Sequence, residues 1–240
     1  MPSWNVHTAH AERLLSDARF DAFGIVDANA FLFGNYVPDV YVGFMVPDVS
    51  FRIDYCVTHA ARVETIPVPD ADYFWDQYVA HRRPSSPAGE SLVLGAWAHL
   101  VADCFYNREF RKVQSSYPSL DGDTLRSYKQ ADFDLFGRML RAQSYVQITD
   151  ELLKAAHKFL PYRIATEDVE KTVRIASEIT RKSESFCPGD EQYRMLDSGW
   201  LNNVFEACHE HVAVWLQTWR QLEAEEASFM AVDICARAGQ

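Results

Sequence analysis

Apolar residues along the chain recur mainly at the three- and four-residue spacing of amphipathic helices, and stretches that alternate every second residue are scarce. The spacing predicts a first helix at residues 5–18 and a short apolar helix at 27–36 that stops at Pro38. Five further helices are predicted at residues 70–82, with Asp70 as N-cap, 89–113, 122–159, 166–182 and 190–229. We therefore expect an all-α fold.

The segment between the second and third predicted helices differs from the rest, because it contains four prolines, Pro38, Pro47, Pro67 and Pro69. Proline removes a backbone donor and restricts the residue before it, so residues 37–69 are expected to form a long irregular region. The short apolar segment 51–58 interrupts it. No linker strong enough to divide the chain is visible, and we expect a single multi-helix domain over residues 1–240.

Composition and charge narrow the classes of partner. The 240-residue chain carries a formal net charge of -11, which opposes binding to extended nucleic acid or to an anionic membrane surface. The net charge does not exclude small phosphorylated substrates, because a bound metal can reverse the local charge. The start of the chain lacks the pattern of a signal peptide, no window has the length of a membrane span, and the five cysteines form no CxxC pair. We expect a cytoplasmic protein without stable membrane insertion.

The helix predicted at 89–113 carries the strongest chemical signal. Its first half is nearly all apolar, which predicts a buried central helix, yet it contains His99 and Asp103. Residues four apart share one helix face, so the imidazole and carboxylate can converge on one cation. Taken alone, the pair is more typical of a core histidine hydrogen-bonded to a core aspartate.

Further candidate ligands stand in apolar surroundings earlier in the chain: His7, His10, Asp39 and His59. Each has an ordinary structural interpretation, as an exposed helix residue, a turn residue, or a capping or core side chain. Their joint occurrence with His99 and Asp103, in this order, favours a buried divalent-metal site.

The ordered set resembles a known family. Trp4 and His7, then Pro38-Asp39, then Thr58-His59, then Ala98-His99 with Asp103, are similar to the motifs of the bacterial zinc-dependent phospholipase C family, whose superfamily also includes single-strand-specific zinc nucleases. The resemblance covers about residues 4–135, and the C-terminal hundred residues carry no matching motif.

This resemblance implies an all-helical fold with one to two bound Zn²⁺ ions. It implies that Asp39, His59, His99 and Asp103 surround one metal, and that Asp103 bridges to a second metal held by His7. In the secreted enzymes of the family the amino-terminal tryptophan chelates that second metal through its free amine, whereas Trp4 is internal in this sequence. His10 could compensate.

The family's third metal site is poorly matched. A further histidine is expected soon after Asp103, where the candidates are Asn107 and Glu109, and a His-xxx-Glu pair is expected on the next helix, where Gln130 and Asp134 stand. Amide oxygens are weak ligands compared with imidazole. The third site is therefore lost, retuned to a harder cation such as Mg²⁺ or Ca²⁺, or converted to a hydrogen-bonding shell, and Asp132 and Asp134 are equally typical of a solvated helix face.

The ligand set indicates a metal-dependent hydrolase of phosphate esters, and the resemblance implies phospholipid-like or other small phosphodiester substrates. A metal lowers the pKa of bound water and neutralises phosphoryl oxygens, and Asp39, if partly free, could act as the catalytic base. Motifs of competing chemistries, such as Gly-x-Ser-x-Gly or His-Glu-x-x-His, are absent from the sequence. The alternatives are a non-catalytic helical protein that keeps a metal for stability, and a metal-free helical domain.

The helix predicted at 190–229 has a mainly apolar face at helical spacing, which is typical of a core or of a homodimer surface and is made of Trp200, Val204, Ala207, His211, Trp215 and Trp219. The neighbouring run Cys208-His209-Glu210-His211 places its two histidines on different sides of a helix, so it is interpreted as structural.

Overall fold

The structure, a computed structural model, describes residues 2–62, 67–80, 84, 86–189 and 191–238, the last sixteen of them as helix backbone only. Every regular element in these ranges is helical, which confirms the all-α prediction. The helices are α1 Trp4–Leu15, α2 Ala28–Gly34, α3 Val37–Val40, α4 Tyr55–Thr58, α5 Ala71–Trp75, α6 Pro87–Val113, α7 Gly122–Leu140, α8 Asp150–His157, α9 Thr166–Glu184 and α10 Ser198–Ala238. Short 3₁₀ turns lie at Phe20–Ala22 and Gln114–Ser116, and a π-helical segment, Asp76–Ala80, continues α5.

Helix α6 is the centre of the fold, as its apolar sequence predicts. Ser86 caps its first turn by accepting a hydrogen bond from the Gly89 amide, and Pro87 opens the helix where no donor is needed. Residues from Ala88 to Asn107 are almost all buried. Helices α1, α2, α3, α5, α8 and α10 all pack against α6, so a polar side chain on its buried face must find a partner inside the protein.

Two glycines allow α2 and α6 to cross at very close range. A Cβ atom on Gly34 would collide with the Leu92 carbonyl oxygen, and one on Gly95 would collide with the Phe31 carbonyl oxygen. Only glycine leaves room for this approach of the two backbones. The crossing lies one turn before His99 and brings the end of α2 against that side chain.

The structure corrects one long predicted helix. Residues 122–159 do not form a continuous helix, because α7 ends at Leu140, Arg141 adopts a left-handed conformation (φ 53°), and α8 begins only after the N-cap Thr149. The segment between them is held by distant side chains. Glu12 accepts hydrogen bonds from the backbone amides of Gln143 and Ser144. These long-range contacts outweigh the local helical preference.

Two other boundaries also differ from the prediction. The last helix begins at Ser198 rather than near residue 190, because Asp197 accepts a hydrogen bond from the Trp200 amide and starts the helix there. The irregular region 37–69 is confirmed over its described residues, except that it contains the short helices α3 and α4. Pro38 occupies the first turn of α3, where proline is well tolerated, and α2 has already ended at Gly34.

The hydrophobic core is one cluster that runs from Trp4 in α1 to Leu216 in α10. Helix α10 is joined to it by aromatic contacts, in which Trp75 packs edge-on against Trp97, Trp215 and Trp219 with ring centroids 4.7, 5.9 and 5.1 Å apart. Among the described residues, no helix combines the length and apolar character needed to cross a membrane.

Candidate metal centre

The five predicted metal ligands meet inside the helical core. His7 lies on α1, Asp39 on α3, His59 directly after α4, and His99 and Asp103 on α6. The side chains of His7, His59, His99 and Asp103 are fully buried, and Asp39 is 5% exposed. The structure thus brings together residues separated by up to 96 positions in sequence.

Donor atoms of four side chains lie close together around His59 Nε2. His59 Nε2 lies 3.3 Å from His99 Nε2, 3.5 Å from Asp103 Oδ2 and 3.5 Å from Asp39 Oδ1. His99 Nε2 lies 3.6 Å from Asp103 Oδ2. Zinc binds nitrogen and oxygen donors at about 2.0–2.1 Å in a tetrahedron, whose edges are then roughly 3.3 Å. The four separations given are close to those edges, whereas His99 Nε2 lies 4.0 Å from the nearer Asp39 oxygen, Oδ2.

The two histidines are oriented so that their free nitrogens face the other donors. His99 Nδ1 lies 2.7 Å from the Asn35 carbonyl oxygen, to which only a protonated nitrogen can donate. Thr58 Oγ1 lies 3.2 Å from the Tyr55 carbonyl oxygen and 2.8 Å from His59 Nδ1, and when the hydroxyl donates to the carbonyl it accepts from that nitrogen. In the neutral rings both Nε2 atoms therefore carry a lone pair, and they face each other at 3.3 Å. A shared cation or proton is required to relieve the repulsion, and backbone-oriented imidazoles of this kind are typical of metal ligands.

A second group of donors shares Asp103. His7 Nε2 lies 3.3 Å from Asp103 Oδ1, the oxygen that faces away from His59 and His99. The His7 ring stacks on the His99 ring with centroids 3.9 Å apart. Neither Asp103 oxygen and neither His7 nitrogen makes a hydrogen bond to a described residue. Burying a carboxylate in this way is costly, and a bound cation is the usual compensation.

Burial and the attraction between neighbouring charges together set the protonation of the cluster. Burial lowers the pKa of His7 to about 4, assisted by the nearby charge of His99. Burial also opposes charge on His99, but the adjacent Asp103 carboxylate outweighs it and raises the pKa of His99. Burial would raise the pKa of Asp103, yet the attraction of His99 and His7 holds that pKa well below its usual range. The centre therefore keeps its carboxylates ionised, as metal ligation needs.

Trp4 contributes through its side chain. Its indole Nε1 donates a 2.9 Å hydrogen bond to Asp39 Oδ2, while Asp39 Oδ1 faces His59. The indole therefore orients the carboxylate and leaves one oxygen for ligation. Sequence analysis singled out Trp4 only for its backbone amine, and the presence of a tryptophan near a ligand was the sole signal for this role.

The structure gives His10 and Asn107 other partners. His10 is buried, but its Nε2 pairs with the Tyr106 hydroxyl at 3.2 Å and its ring stacks on Phe205. Asn107 is buried one turn beyond Asp103 and donates to the Pro67 carbonyl oxygen. Among the described residues, the groups of three or more His, Cys, Asp or Glu side chains close enough to share an ion do not include His10.

The remaining shell candidates lie away from the cluster. Glu109 pairs with Lys112 on the surface of α6, and the side chain of Gln130 is exposed. Asp134 is exposed and pairs with Arg138 on α7. By contrast, Asp132 is buried, so its interpretation as a solvated helix-face residue is wrong. It accepts hydrogen bonds from three consecutive backbone amides, at residues 194–196.

Sequence analysis missed the residues that hold the histidines in place. The position of the Asn35 carbonyl beside His99 depends on the close crossing of α2 and α6 at their glycines, and no sequence motif predicts that crossing. Tyr55 was also missed, although it stands four residues before His59, and its ring stacks on that imidazole with centroids 3.9 Å apart.

Comparison of the chain with known protein families, with curated proteins and with solved structures gives no match. The function is therefore inferred from the side chains of the site. What the structure establishes is an all-helical protein with two overlapping buried His and Asp groups that could hold a metal ion, His7-His99-Asp103 and Asp39-His59-His99.

Proposed function

We propose that this chain is a cytoplasmic, metal-dependent hydrolase of small phosphate esters, with Zn²⁺ as its metal. The observation that carries the proposal is the approach of His59 Nε2 and His99 Nε2 to 3.3 Å beside the buried Asp103 carboxylate, neither oxygen of which makes a hydrogen bond to a described residue. Mixed nitrogen and oxygen donors at these separations suit zinc better than calcium or magnesium.

The residues divide into two roles under this proposal. Asp39, His59, His99 and Asp103 Oδ2 would hold one ion, and His7 with Asp103 Oδ1 would hold a second. When bound, such ions would lower the pKa of a coordinated water and neutralise phosphoryl oxygens. His7 and Asp103 supply only two protein donors to the second position, which leaves room for a water and a substrate oxygen.

A small phosphoester, including a phospholipid-like one, fits the charges of the protein. The net charge of -11 disfavours binding of long nucleic acid. A centre with two bound metal ions would make the electrostatic potential positive only in its own neighbourhood. The resemblance to the zinc-dependent phospholipase C family supports the same reaction class. The cytoplasmic assignment is supported by cysteines that are free wherever the structure describes them, as is usual in a reducing compartment.

The direct test measures metal content and hydrolysis together. Protein purified in zinc should retain at least one equivalent after desalting and should hydrolyse members of a panel of phosphomonoesters and phosphodiesters. Both His99→Ala and Asp103→Ala should lose the metal and at least 1,000-fold of the activity, as expected for loss of the group that activates the water. His157→Ala is the matched control, since His157 is exposed and pairs with Arg163 away from the centre.

A structural metal site is the second candidate, and one observation favours it. The first group supplies four protein donors in a fully buried position, whereas catalytic zinc sites keep a position open. Under this alternative, chelation lowers the melting temperature, one ion binds per chain, and the whole ester panel is left intact. A catalytic centre instead turns over at least one ester and loses that activity on chelation.

A further inference from the structure

Tyr55 stands between the buried metal-ligand cluster and solvent. It is half-buried on α4, its ring lies on the His59 imidazole at an angle of 21°, and the neighbouring Val57 is 66% exposed. Helix α4 is thus an outer wall of the centre. A substrate that reaches the ligands from this side would pass the tyrosine first.

The phenolic hydroxyl of Tyr55 is buried and makes no hydrogen bond to any described residue. A buried hydroxyl is normally satisfied, and one that is not points to a missing partner. The stack of the ring on His59 places this hydroxyl at the metal-ligand cluster.

We propose that the Tyr55 hydroxyl is a substrate contact, which donates a hydrogen bond to an anionic phosphoryl oxygen bound at the metal centre. This rests on the proposed function. The ring is held rigidly by its stack on His59, so the donor is positioned before the ligand arrives. A neutral donor also adds affinity for an anion without adding charge to the buried cluster.

The test compares zinc-loaded wild type with Tyr55→Phe, which keeps the stacked ring and removes only the hydroxyl. Tyr73→Phe is the control, since Tyr73 is 53% exposed on α5. Zinc affinity is measured by competition with a chromophoric chelator, and binding of inorganic phosphate by calorimetry. We expect unchanged zinc affinity and about 10- to 100-fold weaker phosphate binding in Tyr55→Phe, the loss typical for a hydrogen bond to a charged group. The control should match wild type in both.

Several outcomes would overturn the assignment. Equal phosphate affinity in wild type and Tyr55→Phe, or no phosphate binding by the wild-type zinc form, excludes the contact. Loss of zinc or of folding in Tyr55→Phe would show that the hydroxyl already serves the protein itself. If phosphate binding depends on Tyr55 while no ester is hydrolysed, the contact stands and the proposed hydrolase function fails.

Discussion

His59 and His99 face each other through their Nε2 atoms at 3.3 Å, and each ring is fixed by a hydrogen bond at its opposite nitrogen. Rotating either ring to avoid the other would break a bond to the Asn35 carbonyl or to Thr58. The protein therefore maintains an arrangement that is unfavourable without a shared proton or cation. The hydrolase proposal and the predictions that involve the metal rest on this relationship.

Substitution of His7 distinguishes a centre that binds one metal ion from a centre that binds two. Its Nε2 approaches only the Asp103 oxygen that is turned away from the first group. We expect His7→Ala to lower the bound zinc from two equivalents to one and to remove hydrolysis, while the remaining ion stays tightly bound. Metal analysis after equilibrium dialysis measures the ratio. Two equivalents in the variant, or loss of both ions, would contradict this division.

Trp4 should tune the first metal through Asp39. Trp4→Phe keeps the aromatic packing on Tyr36 but removes the 2.9 Å hydrogen bond to Asp39 Oδ2. We expect zinc affinity to fall about 10- to 100-fold, as is usual when a group that orients a ligand is removed. Trp200→Phe, on α10, should leave the affinity unchanged. A chelator competition assay distinguishes the two, and equal affinities would show that the indole serves packing alone.

The aspartates of α7 should differ sharply in stability. Asp132→Ala leaves three backbone amides, one of them buried and two part-buried, without their acceptor, which should lower the free energy of unfolding by ~3 kcal/mol. Asp134→Ala, two residues away on the exposed face, should change it by less than about 0.5 kcal/mol. Urea unfolding of both variants tests this. The zinc content of both variants should stay at the wild-type level. Loss of metal in Asp134→Ala would show that Asp134 is a metal ligand after all.

His10 should make the apo protein sensitive to acid. Burial holds the pKa of His10 well below its usual 6.5. Below pH 6.5, the imidazole is therefore protonated in the unfolded state but stays neutral in the folded state. The free energy of unfolding therefore falls with falling pH, by up to ~1.4 kcal/mol per unit for this group. With a chelator present to keep the protein metal-free, the free energy of unfolding falls between pH 7 and 5.5. We expect this fall to be smaller by about 1 kcal/mol in His10→Gln than in wild type. His157→Gln should match wild type, and parallel curves for all three proteins would refute the assignment.

The ligands could be predicted from the sequence because their identities do not depend on the fold. His99 and Asp103 share a helix face by spacing alone, and Asp39 and His59 follow apolar segments that must enter a core. Helix α6 could also be predicted from the sequence, because a long apolar run of this kind is compatible with few structures other than a buried helix. Nothing in the spacing, however, shows how far apart in space His7 and Asp103 lie.

What could not be predicted depends on contacts between distant segments. The break after α7 is set by Glu12, and the burial of Asp132 is set by backbone amides 62 to 64 residues away. Position on a helix did not reveal that Asp132 faces inward while Asp134 faces outward. The role of the Trp4 indole likewise follows only from the approach of α1 to α3.

Anomalous scattering at the zinc absorption edge from crystals of the zinc-loaded protein tests the central claim most directly. The account predicts an anomalous peak between His59 and His99, with both Nε2 atoms at about 2.0–2.1 Å and oxygens of Asp39 and Asp103 completing the sphere. A second, weaker peak is expected beside His7. Crystals that contain zinc but show no peak within bonding distance of His59 and His99 would contradict it.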